Sequence, residues 1–301
     1  MNNPLVSIVV LSYNRKTELA YNLNLLQKLS YDNYEVLIVD NMSTDGSVDI
    51  IKSQFSNFGL IEMGYNSGVS RGRNAGFRKA NGEYIIYLDD DSYAPSDICE
   101  KTIHYFNENK NIGSLSFLIK DKLTGRILND FSNKIIGHYW GGGHALKKSV
   151  LDKINYLDED FFFGGEEIDS SLRMMKIGYY VRNTPEIIII HDSQQGVLST
   201  NKKKMRIINY IKTFGMFYWY HFPFRYALVF TLRLFLSHMK NSLIKFKDPL
   251  LPFKGIYSLF KVRSVIKRKR EVVNKEIVRF YFDPNTQASS LNKPIFHKNI
   301  I

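Results

Sequence analysis

Three short, almost uninterrupted apolar runs constrain what this chain can fold into: LVSIVVLSY (Leu5–Tyr13), YEVLIVD (Tyr34–Asp40) and EYIIYLD (Glu83–Asp89). A strand with one wet face alternates apolar and polar residues. Runs that are apolar on both faces belong to strands covered on both sides, as in a parallel sheet flanked by helices. The intervening stretches have a helical period. Leu19, Leu23, Leu26 and Leu29 recur every three or four residues, Val48, Ile51 and Phe55 do likewise, and residues 69–80 form a third candidate. Strand–helix–strand alternation predicts right-handed βαβ units in an open α/β sheet. Ligands of such sheets sit beyond the carboxyl ends of the strands. Interest therefore falls on Asn14 after the first run, Asp40 after the second and Asp89-Asp90-Asp91 after the third.

The 301 residues are 44% hydrophobic, enough to bury a sizeable core. The single cysteine, Cys99, allows no intramolecular disulfide, so a reducing cytoplasm is the expected setting. The first apolar run has no basic residue ahead of it and no cleavage-like sequence after it, so it reads as a strand and not a signal peptide. The net charge of +12 is uneven: residues 201–301 hold 21 Lys+Arg and 4 Asp+Glu, leaving residues 1–200 mildly acidic. Such a tail suits polyanions, lipid headgroups before nucleic acid. Leu228, Leu232, Phe235, Met239 and Leu243 form an apolar stripe at helical spacing, downstream of the aromatics Phe214, Phe217, Tyr218, Trp219, Tyr220, Phe222 and Phe224. Arg225, Arg233 and Lys240 interrupt the roughly 20-residue apolar window that a membrane span needs. An interfacial helix with an aromatic neighbourhood is the expectation.

Several constellations can carry chemistry, and each has a plainer reading beside it. Three adjacent carboxylates at Asp89–Asp91 repel one another unless cations answer them. A Mg2+ or Mn2+ ion does so and keeps positions open for diphosphate oxygens. In an extended chain Asp89 and Asp91 share a side while Asp90 points away; the alternative is a solvated turn. Asp40 opens a turn-rich segment before a helix, where its carboxylate accepts from a nucleotide base or simply shapes the loop. Asn66-Ser67-Gly68 and Arg71-Gly72-Arg73-Asn74-Ala75-Gly76 offer close backbone approach and a phosphate partner, or a helix whose small residues pack on the sheet. Glu166, Glu167 and Asp169 suit either a general base or the favourable amino end of a helix. His191 closes an apolar strand and completes a carboxylate metal site or stays structural.

In order, VSIVVLSYNR, VLIVDNMSTDGS, NSGVSRGRNAGFRKANGEYIIYLDDD, GGGHALKKSV, FFFGGEEIDSSLR and IIIIHD resemble the family 2 glycosyltransferases of GT-A fold, nearest to their bacterial rhamnosyltransferase-like branch. The likeness spans residues 4–195. It implies a Rossmann-like mixed, mostly parallel sheet flanked by helices. It also implies a transferase domain over residues 1–198, with a nucleotide-sugar half (1–112) and an acceptor half (113–198), before a basic helical region (199–301). Position by position, it implies that Asp40 meets the nucleotide base with Tyr13 and Asn14 beside it. Asn66, Arg73, Asp90 and Trp140 would lie at the donor, with Trp140 also near the acceptor. Asp91, Asp89 and His191 would bind a Mg2+ or Mn2+ ion. Glu167 would be the favoured base, though the family usually shows Glu-Asp here, which leaves Glu166 and Asp169 open. The implied reaction is inverting transfer from a UDP- or dTDP-linked sugar to a glycan or lipid-linked hydroxyl. It would take place at the inner face of a bacterial membrane, in cell-surface polysaccharide synthesis.

Two other classes compete. A sugar-phosphate nucleotidyltransferase usually begins with a glycine-rich loop, but the first strand here leads into Ser12-Tyr13-Asn14-Arg15. A non-catalytic membrane or nucleic-acid binding module would use only the tail. Dinucleotide-fold and P-loop fingerprints are absent.

Overall fold

The computed structural model describes residues 3–129, 135–192 and 199–282. By its own contacts the chain divides into two compact units: Met1–Phe162 with Ser170–Ser193, and Phe163–Asp169 with Gln194–Ile301. The boundary expected between 198 and 199 borders residues outside those described, as do the last 19 positions of the expected C-terminal region.

The first unit carries β1 (Val6–Ser12), α1 (Lys16–Leu26), β2 (Tyr34–Asp40), α2 (Ser47–Gln54), β3 (Gly59–Glu62), α3 (Gly68–Lys79), β4 (Tyr84–Asp89), β5 (Ser92–Tyr93) and α4 (Ile98–Glu108). It continues through β6 (Ile112–Asp121), β7 (Ile135–Ile136), β8 (Gly143–Lys147), α5 (Lys148–Lys153), all but the first turn of α6 (Glu166–Lys176), and β9 (Tyr180–His191). The strands form one sheet in the order β3-β2-β1-β4-β8-β6-β9-β5, with β7 on β9. Strands β1 to β4 pair in parallel, β8 runs antiparallel to β4 and β6, and β9 is parallel to β6. The sheet is mixed, as expected, with its parallel half at the amino end of the chain.

The apolar runs are double-faced for the reason the sequence suggests. Val6, Ile8 and Val10 of β1 and Tyr84, Ile86 and Leu88 of β4 join a core closed by Leu19, Leu23 and Leu26 of α1. Their neighbours Val9, Ile85 and Tyr87 point into a second core with Phe77 of α3. Three details differ from the sequence reading. Leu29 lies beyond α1. The third apolar run is the fourth strand, because the four-residue, half-exposed β3 intervenes at the sheet edge. The apolar strand expected to end at His191 is longer, the twelve-residue β9.

Register decides where the polar ends meet: Ser12 pairs with Asp40 and Leu11 with Asp89, so β1, β2 and β4 finish at one level. On α3, a side chain at Gly72 would run into Leu11, and one at Gly76 into Val9 and Val39. These glycines let the helix lie close on the sheet.

The second unit holds α7 (Thr200–His221), α8 (Phe224–Asn241), a π turn (Ser242–Phe246), α9 (Leu250–Lys261), α10 (Arg263–Lys269) and α11 (Lys275–Phe282). The aromatic cluster corrects the sequence reading. Phe214, Phe217, Tyr218, Tyr220 and Phe222 are buried, and only Phe224 is well exposed. Phe217 packs edge-on against Phe222 at 5.5 Å, and Phe222 meets Tyr281 at 6.0 Å. They form the core of this unit and not an interface with lipid. The outward apolar face lies on α8 and α9. Helix α8 buries Ala227, Phe230, Leu234 and His238, while Leu228, Leu232 and Leu236 remain exposed. Among the described residues, no helix is long and apolar enough to cross a membrane.

Gly76→Leu should overpack α3 against β1 and β2 and destabilise the protein by about 1–3 kcal/mol, measured by urea unfolding. An unchanged midpoint would contradict this packing.

Candidate active site

The site is assembled where three parallel strands end. Asp40, the last residue of β2, is buried; its Oδ2 accepts from the Ser43 N–H at 2.9 Å. Its Oδ1 is buried and has no hydrogen-bond partner among the described residues. An orphaned carboxylate oxygen is costly unless a ligand completes it. The neighbouring loops are tied together around it. Asn14 holds φ 53, a left-handed value that Asn tolerates. Its amide donates to Ser43 Oγ, and its Oδ1 accepts from the Thr44 N–H. Tyr13 beside it is nearly half exposed. Asn66 Oδ1 accepts from the Gly68 N–H and from Asn41 Nδ2, holding the turn into α3.

At the end of β4, Asp89 and Asp91 converge while Asp90 turns away from them. Ligand atoms of Asp89, Asp91 and His191 all lie within 4.8 Å of one another. Strand β9 delivers His191, which pairs in register with Ser92, while the Asp192 N–H donates to the Asp91 carbonyl. Asp90 instead turns toward β1, where its Oδ2 accepts from Ser12 Oγ at 3.0 Å and from the Tyr13 N–H at 3.2 Å.

Three cationic groups answer this charge. Arg15, from the loop after β1, pairs with Asp91 and lies 3.8 Å from Asp90. Arg73 of α3 is almost wholly buried, 3.9 Å from Asp89 and with its guanidinium 4.3 Å above the Tyr87 ring. It also donates to the Gly141 carbonyl at 3.1 Å. The Tyr87 hydroxyl donates to Asp89 at 2.6 Å. His191 Nε2 lies 3.4 Å from Asp91. The carboxyls consequently differ. Burial pushes Asp89 above its ordinary value against the pull of Arg73. Burial and then the Asp91 charge push Asp90 up to about 8. Burial works to raise Asp91 too, but His191 and Arg15 together hold it below the usual carboxylate range. Burial works to lower His191, and its bond to Asp91 outweighs that and raises it. Asp91 is thus the firmest anion of the three.

Two carboxylates and an imidazole, close enough to share one ion, suit a hard or borderline divalent cation such as Mg2+ or Mn2+. The His191 Nδ1 is buried with no hydrogen-bond partner among the described residues, and Nε2 is the nitrogen that faces the carboxylates. Beside them, Gly142 lies against both Asp89 and the Trp140 indole, leaving no side chain between the two.

The acidic motif occupies the first turn of α6. Glu166 and Asp169 are fully buried, while Glu167 is half-buried. Asp169 Oδ1 accepts from His221 Nε2 at 2.7 Å. Arg15, Tyr87 and His221 join the site without having been expected there from the sequence. Arg15 carried a weak signal as the basic residue next to Asn14. Arg71, the other phosphate candidate, is exposed and engages Tyr65 and Glu159 instead.

The Glycosyl transferase family 2 model matches residues 7–157, half of the chain. The chain belongs to glycosyl transferase family 2. This family 2 glycosyltransferase is 29% identical over 225 residues to the Escherichia coli UDP-Glc:alpha-D-GlcNAc-diphosphoundecaprenol beta-1,3-glucosyltransferase WfaP, covering 70% of this chain and 87% of that one. Its fold is similar to the mannosyltransferase PcManGT from Pyrobaculum calidifontis, solved with GDP-Man and Mn2+. There the TM-score is 0.58 at 15% identity, over 99% of this chain and 82% of the other. It is also similar to GalNAc-T7, solved with UDP, GalNAc and Mn2+, at TM-score 0.66 and 14% identity over 96% of this chain and 58% of that one. The GT-A fold expected from the sequence is therefore the fold of this enzyme, and the nucleotidyltransferase alternative falls away.

Arg73→Met should remove the buried cation beside Asp89, destabilising the fold by on the order of 2–4 kcal/mol and driving Asp89 toward its neutral form. Unfolding titrations and Mn2+ calorimetry would both register it. Wild-type values in both would contradict the account of Arg73.

Proposed function

We propose that this glycosyltransferase is metal-assisted and inverting, and that Asp89, Asp91 and His191 hold its divalent cation. The convergence of those three ligands, one strand end away from the open Asp40 oxygen, carries the reading. When bound, the ion stabilises the charge developing on the leaving nucleoside diphosphate. Asp40 Oδ1 accepts a hydrogen bond from the base, with Tyr13 and Asn14 beside it. Arg73, Asn66 and Trp140 shape the donor side, and Asp90 acts indirectly by fixing the Tyr13 backbone. The acceptor hydroxyl oxygen bonds to the anomeric carbon as the bond from that carbon to the diphosphate oxygen breaks. The electron pair leaves with the diphosphate, and the hydroxyl proton passes to a carboxylate of the acidic motif. Glu167 is the assignment, because Asp169 is engaged by His221 and Glu166 is fully buried.

A panel of UDP-, GDP- and dTDP-sugars, dTDP-rhamnose included, with Mg2+ or Mn2+, should release nucleoside diphosphate from at least one donor. Asp91→Ala should lower that turnover on the order of a hundredfold or more. Turnover that is unaffected by the substitution, or by chelator, contradicts the metal assignment.

The second unit supports a peripheral position on an anionic membrane, at its inner face, facing a glycan or lipid-linked acceptor. Half of the large exposed apolar side chains among the described residues fall within residues 224–260, including Phe224, Leu232, Leu236, Ile244, Phe253 and Tyr257. Residues 224–270 also hold 12 Lys+Arg against Asp248 alone. Two such faces repel each other, whereas an anionic lipid surface matches both the apolar and the charged character. The protein should co-sediment with phosphatidylglycerol vesicles and not with neutral ones, and Leu232→Glu with Leu236→Glu should weaken this at least tenfold. Retention on DNA without vesicle binding would instead favour the nucleic-acid reading.

A further inference from the structure

The segment that carries the acidic motif, Phe163–Asp169, belongs by its contacts to the same compact unit as the C-terminal helices. Its environment is made by residues far along the chain. Gly164 and Gly165 hold φ +77 and +97, values that L side chains rarely adopt, and deliver the chain into α6. The Arg206 guanidinium of α7 lies 5.4 Å from the Phe163 ring centre. Tyr210 of α7 feels the charges of Glu167 and Glu166. The fully buried Tyr281 of α11 feels Asp169.

The decisive contact is the pair between His221, the last residue of α7, and Asp169. Nε2 and Oδ1 are 2.7 Å apart, with the side chains 4% and 1% exposed. His221 Nδ1 is buried and has no hydrogen-bond partner among the described residues. Packed edge-on by Phe217 and Tyr220, the ring presents Nε2–H to the Asp169 carboxylate. A buried carboxylate that accepts from a buried donor is held in place, and with it the backbone from which it projects. Glu167, two residues earlier in the same helical turn, is fixed with it.

We infer that His221 is a positioning residue for the transfer reaction: it clamps Asp169 and so sets the first turn of α6 from which Glu167 acts. The C-terminal helices thereby become part of the catalytic apparatus, beyond their proposed role at a lipid surface. The inference rests on the assignment of Glu167 as the base.

The test uses the full-length protein and two buried polar replacements of similar size. His221→Gln puts an amide N–H near the position of Nε2, and His221→Asn puts one near Nδ1, away from Asp169. Expected are a 10- to 100-fold lower kcat for His221→Asn and a kcat within about fivefold of wild type for His221→Gln. Both should keep the donor KM and the affinity for Mn2+ with nucleoside diphosphate. Equal kcat values for the two variants overturn the proposal. Loss of nucleotide binding in both also overturns it, because His221 then supports the fold and not the motif. Glu167→Gln separates the two failures. If it abolishes transfer while His221→Asn is normal, only the clamp is wrong. If Glu167→Gln turns over normally, the base assignment falls and the clamp with it.

Discussion

Everything at this site follows from the placement of three carboxylates side by side at the end of a buried strand. Like charges so close, and so poorly solvated, cannot all stay ionised without cations. The protein meets this demand unevenly. Arg73 approaches Asp89 from the helix side, Arg15 and His191 approach Asp91, and Asp90 is turned back onto the β1 loop. The result is one firm anion at Asp91, with a second carboxylate and an imidazole within reach of it. Such an arrangement favours a small divalent ion that brings its own open positions for a diphosphate.

Much of the fold was legible in the sequence, for a definite reason. Strands covered on both faces must be apolar throughout, so β1, β2 and β4 stood out as runs, and the residues directly after them were the ones the sheet gathers. β3 did not stand out. It has four residues at the sheet edge, half exposed, with Gly59 and Glu62 at its ends, and nothing in that pattern separates it from a loop. The aromatic cluster upstream of α8 was misjudged. When both sides of a helix are apolar, periodicity cannot say which side is covered. The stripe Leu228–Leu232 that suggested an amphipathic helix is the exposed side, and the aromatics upstream of it fill the interior.

The site was legible to the extent that its residues end strands. Asp40, Asp89, Asp91 and His191 could be named from position and resemblance. Their partners could not. Arg15 meets Asp91 from 76 residues away, and His221 meets Asp169 across 52. Neither distance leaves a local trace, because charge neutralisation is a property of the folded arrangement. The division among Glu166, Glu167 and Asp169, open in the sequence, narrows once burial and the His221 contact are known.

We propose that the ends of β2 and β4 form one metal–nucleotide site. A crystal structure of the protein with Mn2+ and the nucleoside diphosphate of its active donor tests it most directly. The ion should sit on Asp91 and His191, with the base on Asp40 and Arg15 displaced from Asp91. A diphosphate bound without the ion touching Asp91 or His191, or a base lodged away from Asp40, would contradict it.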